Sequence, residues 1–280
     1  MLTIDTIISL REHVAEWRRN DERIAFVPTM GNLHTGHLHL VTQARELAPR
    51  TVASIFVNPL QFGPSEDYQT YPRSFKADST QLAAEGVDIL FAPGVAEMYP
   101  EGTEAMTRVD VPTLSNILCG VVRPGHFSGV ATVVTKLLNI VQPDLALFGE
   151  KDYQQLLVIR RLVADLCLPM GIIGVPTVRE ADGLAMSSRN SYLSEEERAL
   201  APLLYQVLCA VAERLRHGSD DYAALEAEAM TALRDSGFRP DYVSIRRSLD
   251  LSEPTLEDNA LIVLGAAWLG KTRLIDNVQR

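Results

Sequence analysis

Two histidines three residues apart, His34 and His37, sit between Gly31 and Leu38 in the stretch PTMGNLHTGHLHLV, Pro28 to Val41. The apolar run IAFV precedes it, and Leu40, Val41, Ala44, Leu47 and Ala48 then mark one helix face. The imidazoles therefore stand where a buried strand gives way to a helix. A helix start offers N–H groups without intrahelical partners and a positive dipole end, and glycine lets backbone approach an anion closely. Phosphate binding is one chemistry that such a place supports. Zinc is a second, with His34, His37 and His39 as ligands, although no Cys or carboxylate in the stretch completes a set. A plain helix-capping turn with two surface imidazoles is the third.

Other stretches carry polar groups at comparable places. FGEKDYQQL, Phe148 to Leu156, again runs from an apolar run into a helical pattern. Lys151 there can neutralise phosphate as a point charge, and Asp152 and Gln155 share a helix face. The bland alternative is an exposed Lys–Asp pair, worth little. LAMSSRNSY, Leu184 to Tyr192, offers Ser187, Ser188 and Arg189 to the oxygens of a triphosphate, or is an ordinary linker. If it is such a loop, residues 183–190 are mobile without the triphosphate and ordered with it. Asn58 and Gln61, in SIFVNPLQFGPSED, are neutral groups suited to a small polar substrate. Arg73, Arg123 and His126 are substrate contacts or solvated surface. No Ser–His–Asp set, catalytic cysteine signature or spaced carboxylate pair is evident.

These stretches need elements to position them. Five apolar runs, RIAFV, TVASIFV, VDILFA, DLALFG and MGIIGV, alternate with helical patterns up to about Val175. That alternation predicts a parallel sheet with helices on both faces, and such sheets bind ligands at the carboxyl ends of their strands. Beyond it, PTVREADGLAMSSRNSYLS is rich in turn formers. Ser194 and Glu197 then form a capping box for one long helix, striped by Leu200, Leu203, Leu204, Val207, Leu208, Val211 and Leu215. A second helix is expected over Tyr222 to Arg234, followed by short β runs at DYVSIR, ALIVLGAAW and TRLIDN. The expectation is an α/β domain over residues 1–176 and a smaller α+β domain over 177–280.

Composition narrows the function classes. The 280 residues are 46% hydrophobic and 22% charged, ordinary values for a chain with a sizeable core. A formal net charge of −10 is a poor footprint for nucleic acid, so an anion must be met by a local cluster of donors. Cys119, Cys167 and Cys209 are expected to be reduced and mostly buried. No apolar run approaches the ~20 residues that span a bilayer, and the N-terminus lacks a secretory layout. The expected setting is cytoplasmic, with no membrane partner.

HTGH resembles the HxGH signature of the nucleotidyltransferase superfamily. MSSR resembles its mobile loop, with Arg189 where many relatives have Lys. The ordered set PTMGNLHTGH, FVNPLQF, YPR, RPGHFSGV, QPDLALFGEKDYQQL and DGLAMSSRNSYL resembles the pantothenate synthetases (pantoate–β-alanine ligases) along nearly the whole chain. Ser128 departs from the pattern, standing where Arg is frequent. The resemblance implies a Rossmann-like nucleotide- and substrate-binding domain, a C-terminal α+β lid domain and a homodimer. It implies condensation of (R)-pantoate with β-alanine through a pantoyl-adenylate, with ATP and its Mg²⁺ as the nucleotide substrate, and AMP and diphosphate released.

Carried over residue by residue, the resemblance puts ATP on Met30, Gly31, Asn32, Leu33, His34, Thr35, Gly36 and His37. Further ATP contacts fall on Gly149, Glu150, Lys151, Asp152, Val178, Met186, Ser187, Ser188 and Arg189. Pantoate falls on Gln61, Gln155 and Asn58, β-alanine on Gln61, and the metal position on Asp78. His37, His34 and Lys151 become the catalytic residues. The lack of a covalent nucleophile agrees with this chemistry, which needs positioning and electrostatic stabilisation. Two other classes stay open at this point: a nucleotidyltransferase that leaves the adenylyl group on its product, and a non-catalytic module that senses ATP.

Overall fold

A computed structural model describes residues 1–64 and 66–280. The chain divides into two compact units, Met1–Glu150 with Val158–Pro176, and Lys151–Leu157 with Thr177–Arg280. The segment Lys151–Leu157, assigned by the sequence-based division to residues 1–176, groups with the second unit.

The first unit opens with β1 (Leu2–Ile4), α1 (Ile7–Arg19), β2 (Ile24–Thr29), α2 (Thr35–Leu47) and β3 (Arg50–Ile55). It continues through α3 (Phe75–Ala84), β4 (Ile89–Phe91) and three one-turn helices, α4 (Val95–Met98), α5 (Pro112–Ser115) and α6 (Cys119–Val122). It closes with α7 (His126–Val141), β5 (Leu145–Gly149), the later part of α8 (Tyr153–Asp165) and β6 (Gly171–Val175). The six strands form a parallel sheet in the order β1-β4-β3-β2-β5-β6.

Central strand β2 is apolar on both faces because both are covered. Ala25 and Val27 join Leu40, Val41 and Ala44 of α2 and Leu82 of α3 in one core cluster. Ile24 and Phe26 alternate to the opposite face and are fully buried there, where α7 packs against β2 and α1 against α7. All five expected strands form. Strand β1 is additional: three residues carry no readable period, and pairing of Leu2 with Ile89 and Ile4 with Phe91 creates it. Of the cysteines, Cys119 is buried and Cys209 half-buried, but Cys167 is exposed, against expectation. It lies just past α8, where the chain turns through a left-handed residue (φ 51°) and the thiol falls outside the packed face.

The second unit holds α9 (Glu195–Leu200), α10 (Leu203–Arg216), α11 (Tyr222–Asp235) and an antiparallel sheet of β7 (Arg239–Arg247), β8 (Leu261–Leu269) and β9 (Thr272–Gln279). The Ser194–Glu197 capping box forms as expected. The single long helix does not. Pro202 has no N–H and its ring opposes the preceding turn, so the helix stops and restarts as α10. Leu204, Leu208, Val211 and Leu215 of α10, with Leu225 and Leu233 of α11, pack with Val243, Ile245 and Val263 of the sheet.

Candidate active site

Strand β2 lies between β3 and β5. The chain winds one way from β2 through β3 to β4, and the other way from β5 to β6. The topological switch point is therefore at the carboxyl ends of β2 and β5, where open α/β sheets bind ligands. The two stretches that leave those ends are Met30–His37 and Gly149–Glu150.

The turn after β2 is built from short polar contacts. Thr29 Oγ1 donates to Ser54 O at 2.7 Å and accepts from Gly31 N at 3.1 Å. Gly31 (φ 80°) and Asn32 (φ 51°) are consecutive left-handed residues. A Cβ on Gly31 would meet Asp78 Oδ2 and Ile55 Cγ2, each at 3.1 Å, so both conformation and space call for glycine. Asp78, only 2% exposed, accepts from Asn32 N and Leu33 N at 2.9 Å each and from Ser74 Oγ at 3.0 and 3.1 Å. Both of its oxygens are thus committed to the protein. This is the geometry of a loop anchor, and it does not fit the metal position expected for Asp78 from the resemblance. Among the described residues no group of three or more His, Cys, Asp or Glu gathers into a metal site, around Asp78 or around the three histidines.

The histidines cap α2. His34 is the N-cap, its Nδ1 accepting from Gly36 N at 3.2 Å, and His37 Nδ1 accepts from His34 N at 3.4 Å. This is a reciprocal capping box in which imidazoles replace the usual hydroxyl and carboxylate. A backbone N–H only donates, so each Nδ1 is an unprotonated acceptor and each neutral ring carries its proton on Nε2. The half-buried rings lie 4.0 Å apart, tilted by 41°. The helix start thus holds two imidazole N–H donors beside its own backbone donors. His39 is exposed on the helix.

Asn58 does a different job from the one its type suggests. It is 1% exposed. Its Nδ2 donates to Gly129 O and Gln61 Oε1, both at 3.2 Å, and its Oδ1 accepts from Tyr99 Oη at 2.7 Å and Leu60 N at 3.3 Å. It shapes the helical turn Pro59–Gln61 from within and leaves Gln61 half-buried, with Nε2 at 3.1 Å from Met30 Sδ. Burial pushes the Tyr99 phenol up, which keeps it a donor. Gly129 of α7 admits this turn, since a Cβ there would lie 2.2 Å from Leu60 O.

Arg123 and His126 hold the same turn from the other side. Arg123 pairs with both Glu66 oxygens at 2.6 and 2.7 Å and reaches His126 Nε2 at 3.0 Å. His126 Nδ1 lies 2.8 Å from Gln61 O. Arg123 can only donate, so the neutral His126 ring accepts at Nε2 and donates from Nδ1. Desolvation works to raise the Glu66 pKa, but the hydrogen bonds and charge of Arg123, with Gly63 N–H, bring it below the usual range. Arg73 is exposed, donates to Tyr68 O at 3.1 Å and lines a cavity of about 600 Å³ with Met30, Ser74 and Asp78. Ser128, the departure from the family pattern, sits with its hydroxyl 3.5 Å from Val109 O.

The remaining expected residues lie in the second unit. Lys151 and Asp152 follow Glu150 in one helical turn, and Gln155 is half-buried in the first part of α8. Met186 N donates to Val178 O at 3.0 Å, so those two residues are neighbours. Ser187 caps the turn Ser188–Tyr192 by accepting from Arg189 N at 3.3 Å. Lys151 and Ser187 line one small cleft of this unit, together with Asn190 and Tyr205. Sequence reasoning missed Thr29, Ser74, Tyr99 and Gly129. Thr29 and Gly129 lie inside quoted motifs and Ser74 directly follows one, whereas Tyr99 carried no local signal.

Fold and geometry together define an α/β enzyme that presents a histidine-capped helix at its switch point and carries a small α+β unit. The chain matches the pantoate-beta-alanine ligase family over residues 2–279. It is 58% identical to the pantothenate synthetase of Pseudomonas aeruginosa PAO1 over 278 residues, covering 99% of this chain and 98% of that one. The Azotobacter vinelandii pantothenate synthetase is 56% identical over the same length, with coverage of 99% and 98%. Among solved structures, pantothenate synthetase from Thermus thermophilus superposes with a TM-score of 0.92 at 50% identity, covering 99% of both chains. A Francisella tularensis pantoate-beta-alanine ligase complexed with beta-gamma ATP and beta-alanine gives 0.83 at 37%, covering 99% of this chain and 97% of that one. The chain belongs to the pantoate-beta-alanine ligase family.

Proposed function

We propose that this chain condenses (R)-pantoate with β-alanine at the expense of ATP, by way of a pantoyl-adenylate. The observation that carries the reading is the double histidine cap. Both Nδ1 atoms are taken by backbone N–H, so both rings are donors at Nε2 where the sheet's switch point meets a helix start. In the first step a pantoate carboxylate oxygen attacks the α-phosphorus of ATP and diphosphate leaves. Charge builds on phosphate oxygens, and preorganised donors stabilise it. His34 and His37 supply two such donors, and Lys151 supplies a point charge. In the second step the neutral amine of β-alanine attacks the acyl carbon, loses a proton, and AMP departs. Gln61, held by Asn58 and the Arg123–His126 pair, positions the two small substrates, with Gln155 also on pantoate.

Magnesium would accompany ATP on its phosphate oxygens. The committed oxygens of Asp78 argue against a protein carboxylate cage for it. The family resemblance further supports a homodimer and a cytoplasmic setting. No helix of the described residues is long and apolar enough to cross a membrane.

The test is exchange of labelled diphosphate into ATP. On this reading, exchange requires pantoate and proceeds without β-alanine, and adding β-alanine yields pantothenate and free AMP. Exchange that strictly requires β-alanine would remove the stepwise adenylate. Retention of the adenylyl group on the product would point to a nucleotidyltransferase, and ATP binding without turnover to a sensor.

A further inference from the structure

We propose that Arg179, Asp276 and Asn277 are positioning residues for adenylate formation, acting through Lys151 and the Ser187 turn. This rests on the function proposed above. All the groups involved lie in the second unit.

Asn277, 7% exposed, donates from Nδ2 to the Lys151 carbonyl at 3.0 Å. Its own backbone is gripped in turn. Asn277 N donates to Asp276 Oδ1 at 2.8 Å, and Asn277 O lies 3.4 Å from Arg179 Nη2. Asp276 meets Arg179 in a two-pronged pair at 2.6 and 2.9 Å, with the Asp276 side chain 3% exposed. Arg179 is also the base of a tight hairpin. It bridges to Ala185 and donates from Nη1 to Gly183 O at 3.1 Å, while Met186 N closes on Val178 O at 3.0 Å. The guanidinium lies over the Tyr205 ring at 3.6 Å, and a Cβ on Gly183 would meet that same ring at 2.8 Å.

One ion pair, half-buried at Arg179 and buried at Asp276, thus joins three distant segments: the turn that carries Lys151, the hairpin that delivers Ser187, and β9. Its product is a single cleft lined by Lys151, Ser187, Asn190, Tyr205 and Asp276. Asn190 Oδ1 is a buried acceptor in that cleft without a protein partner, while its Nδ2 is held by Ala185 O at 3.1 Å. A well-packed apolar group would stabilise the same spot at least as well as a buried pair. The pair's planar, directional contacts instead fix register, which apolar packing does less sharply. Small displacements of a phosphate-neutralising group are costly in rate, so the frame acts on chemistry through where it leaves Lys151.

A double-mutant cycle with diphosphate exchange and single-turnover AMP formation tests this. Asn277→Ala is expected to lower kcat about 10-fold to 100-fold, with KM for pantoate changed far less. In a Lys151→Ala background the same substitution is expected to lower the rate less than about 2-fold, because its route of action is gone. Equal losses in both backgrounds would overturn the proposal and leave Asn277 a purely structural residue. If Asn277→Ala does not fold, Asn277→Leu, which keeps the volume and removes the donor, is read by the same criterion. A parent chain inactive in exchange would defeat the proposed function itself. An active parent with an additive cycle defeats only the positioning role.

Discussion

The turn after β2 and the hairpin at 178–186 present functional groups in opposite ways. The first is one continuous stretch, Met30–His37, stiffened by a buried carboxylate that accepts two backbone N–H groups. The second gathers Lys151, Ser187 and Asn190 from separate segments through an ion pair and a stacked ring. The difference teaches where specificity of placement comes from. Local backbone geometry suffices when the groups share a helix cap. Long-range charged contacts are needed when they do not.

The largest expected effect lies in the first region. His37→Ala should lower kcat by ~10²–10³, the scale of losing one preorganised donor, while stability falls by only about 0.5–2 kcal/mol for the lost cap contact. Steady-state kinetics beside urea unfolding would show it. Wild-type turnover would move the chemistry away from the β2 turn and erase the contrast.

Next comes Asp78→Asn, which leaves one of two half-buried N–H groups without a good acceptor and should cost roughly 1–3 kcal/mol. Use of ATP should weaken, and excess Mg²⁺ should not restore it. Recovery with added Mg²⁺ would show that Asp78 holds the ion after all. Gly129→Ala forces a Cβ toward Leu60 O and should cost about 1–3 kcal/mol. Because the collision lies beside Gln61, the proposed pantoate position, KM for pantoate should rise more than KM for ATP, and an equal rise would uncouple α7 from that position.

The smallest effect is a pH dependence. Glu66 titrates lower in the folded chain than unfolded, so the unfolded state binds more protons between the two values and stability rises with pH there. The Glu66 contribution is complete above the ordinary carboxylate range and disappears as pH falls through the lowered folded value. Unfolding midpoints of Glu66→Gln against the parent, from pH 6 down to about 3, should converge at the acid end. A constant gap would mean that the Arg123 pair contributes nothing through charge.

The same contrast explains what was legible beforehand. The β2 strand and the α2 stripe follow local periodicity, so a strand end passing into a helix start that carries His34 and His37 could be read from PTMGNLHTGH. Strand β1 could not, because three residues show no period and only β4 makes them a strand. The break at Pro202 was written in the sequence but overridden by a leucine stripe that continues through it. For Asp78 the family resemblance offered a metal position, and only the fold reveals that its oxygens accept from the Asn32 and Leu33 backbone N–H groups. Arg179 and Asp276 sit 97 positions apart, which no local pattern connects.

The caps of α2 also divide labour within a single ring. Nδ1 belongs to folding, and Nε2 faces the other way around the imidazole. A side chain such as asparagine offers the helix an equally good acceptor without an imidazole N–H. His34→Asn would therefore loosen architecture from reactivity: a chain with its first turn intact in which a shorter amide N–H replaces the imidazole donor. Such a slowed scaffold would let the reactants be watched side by side for longer before they react.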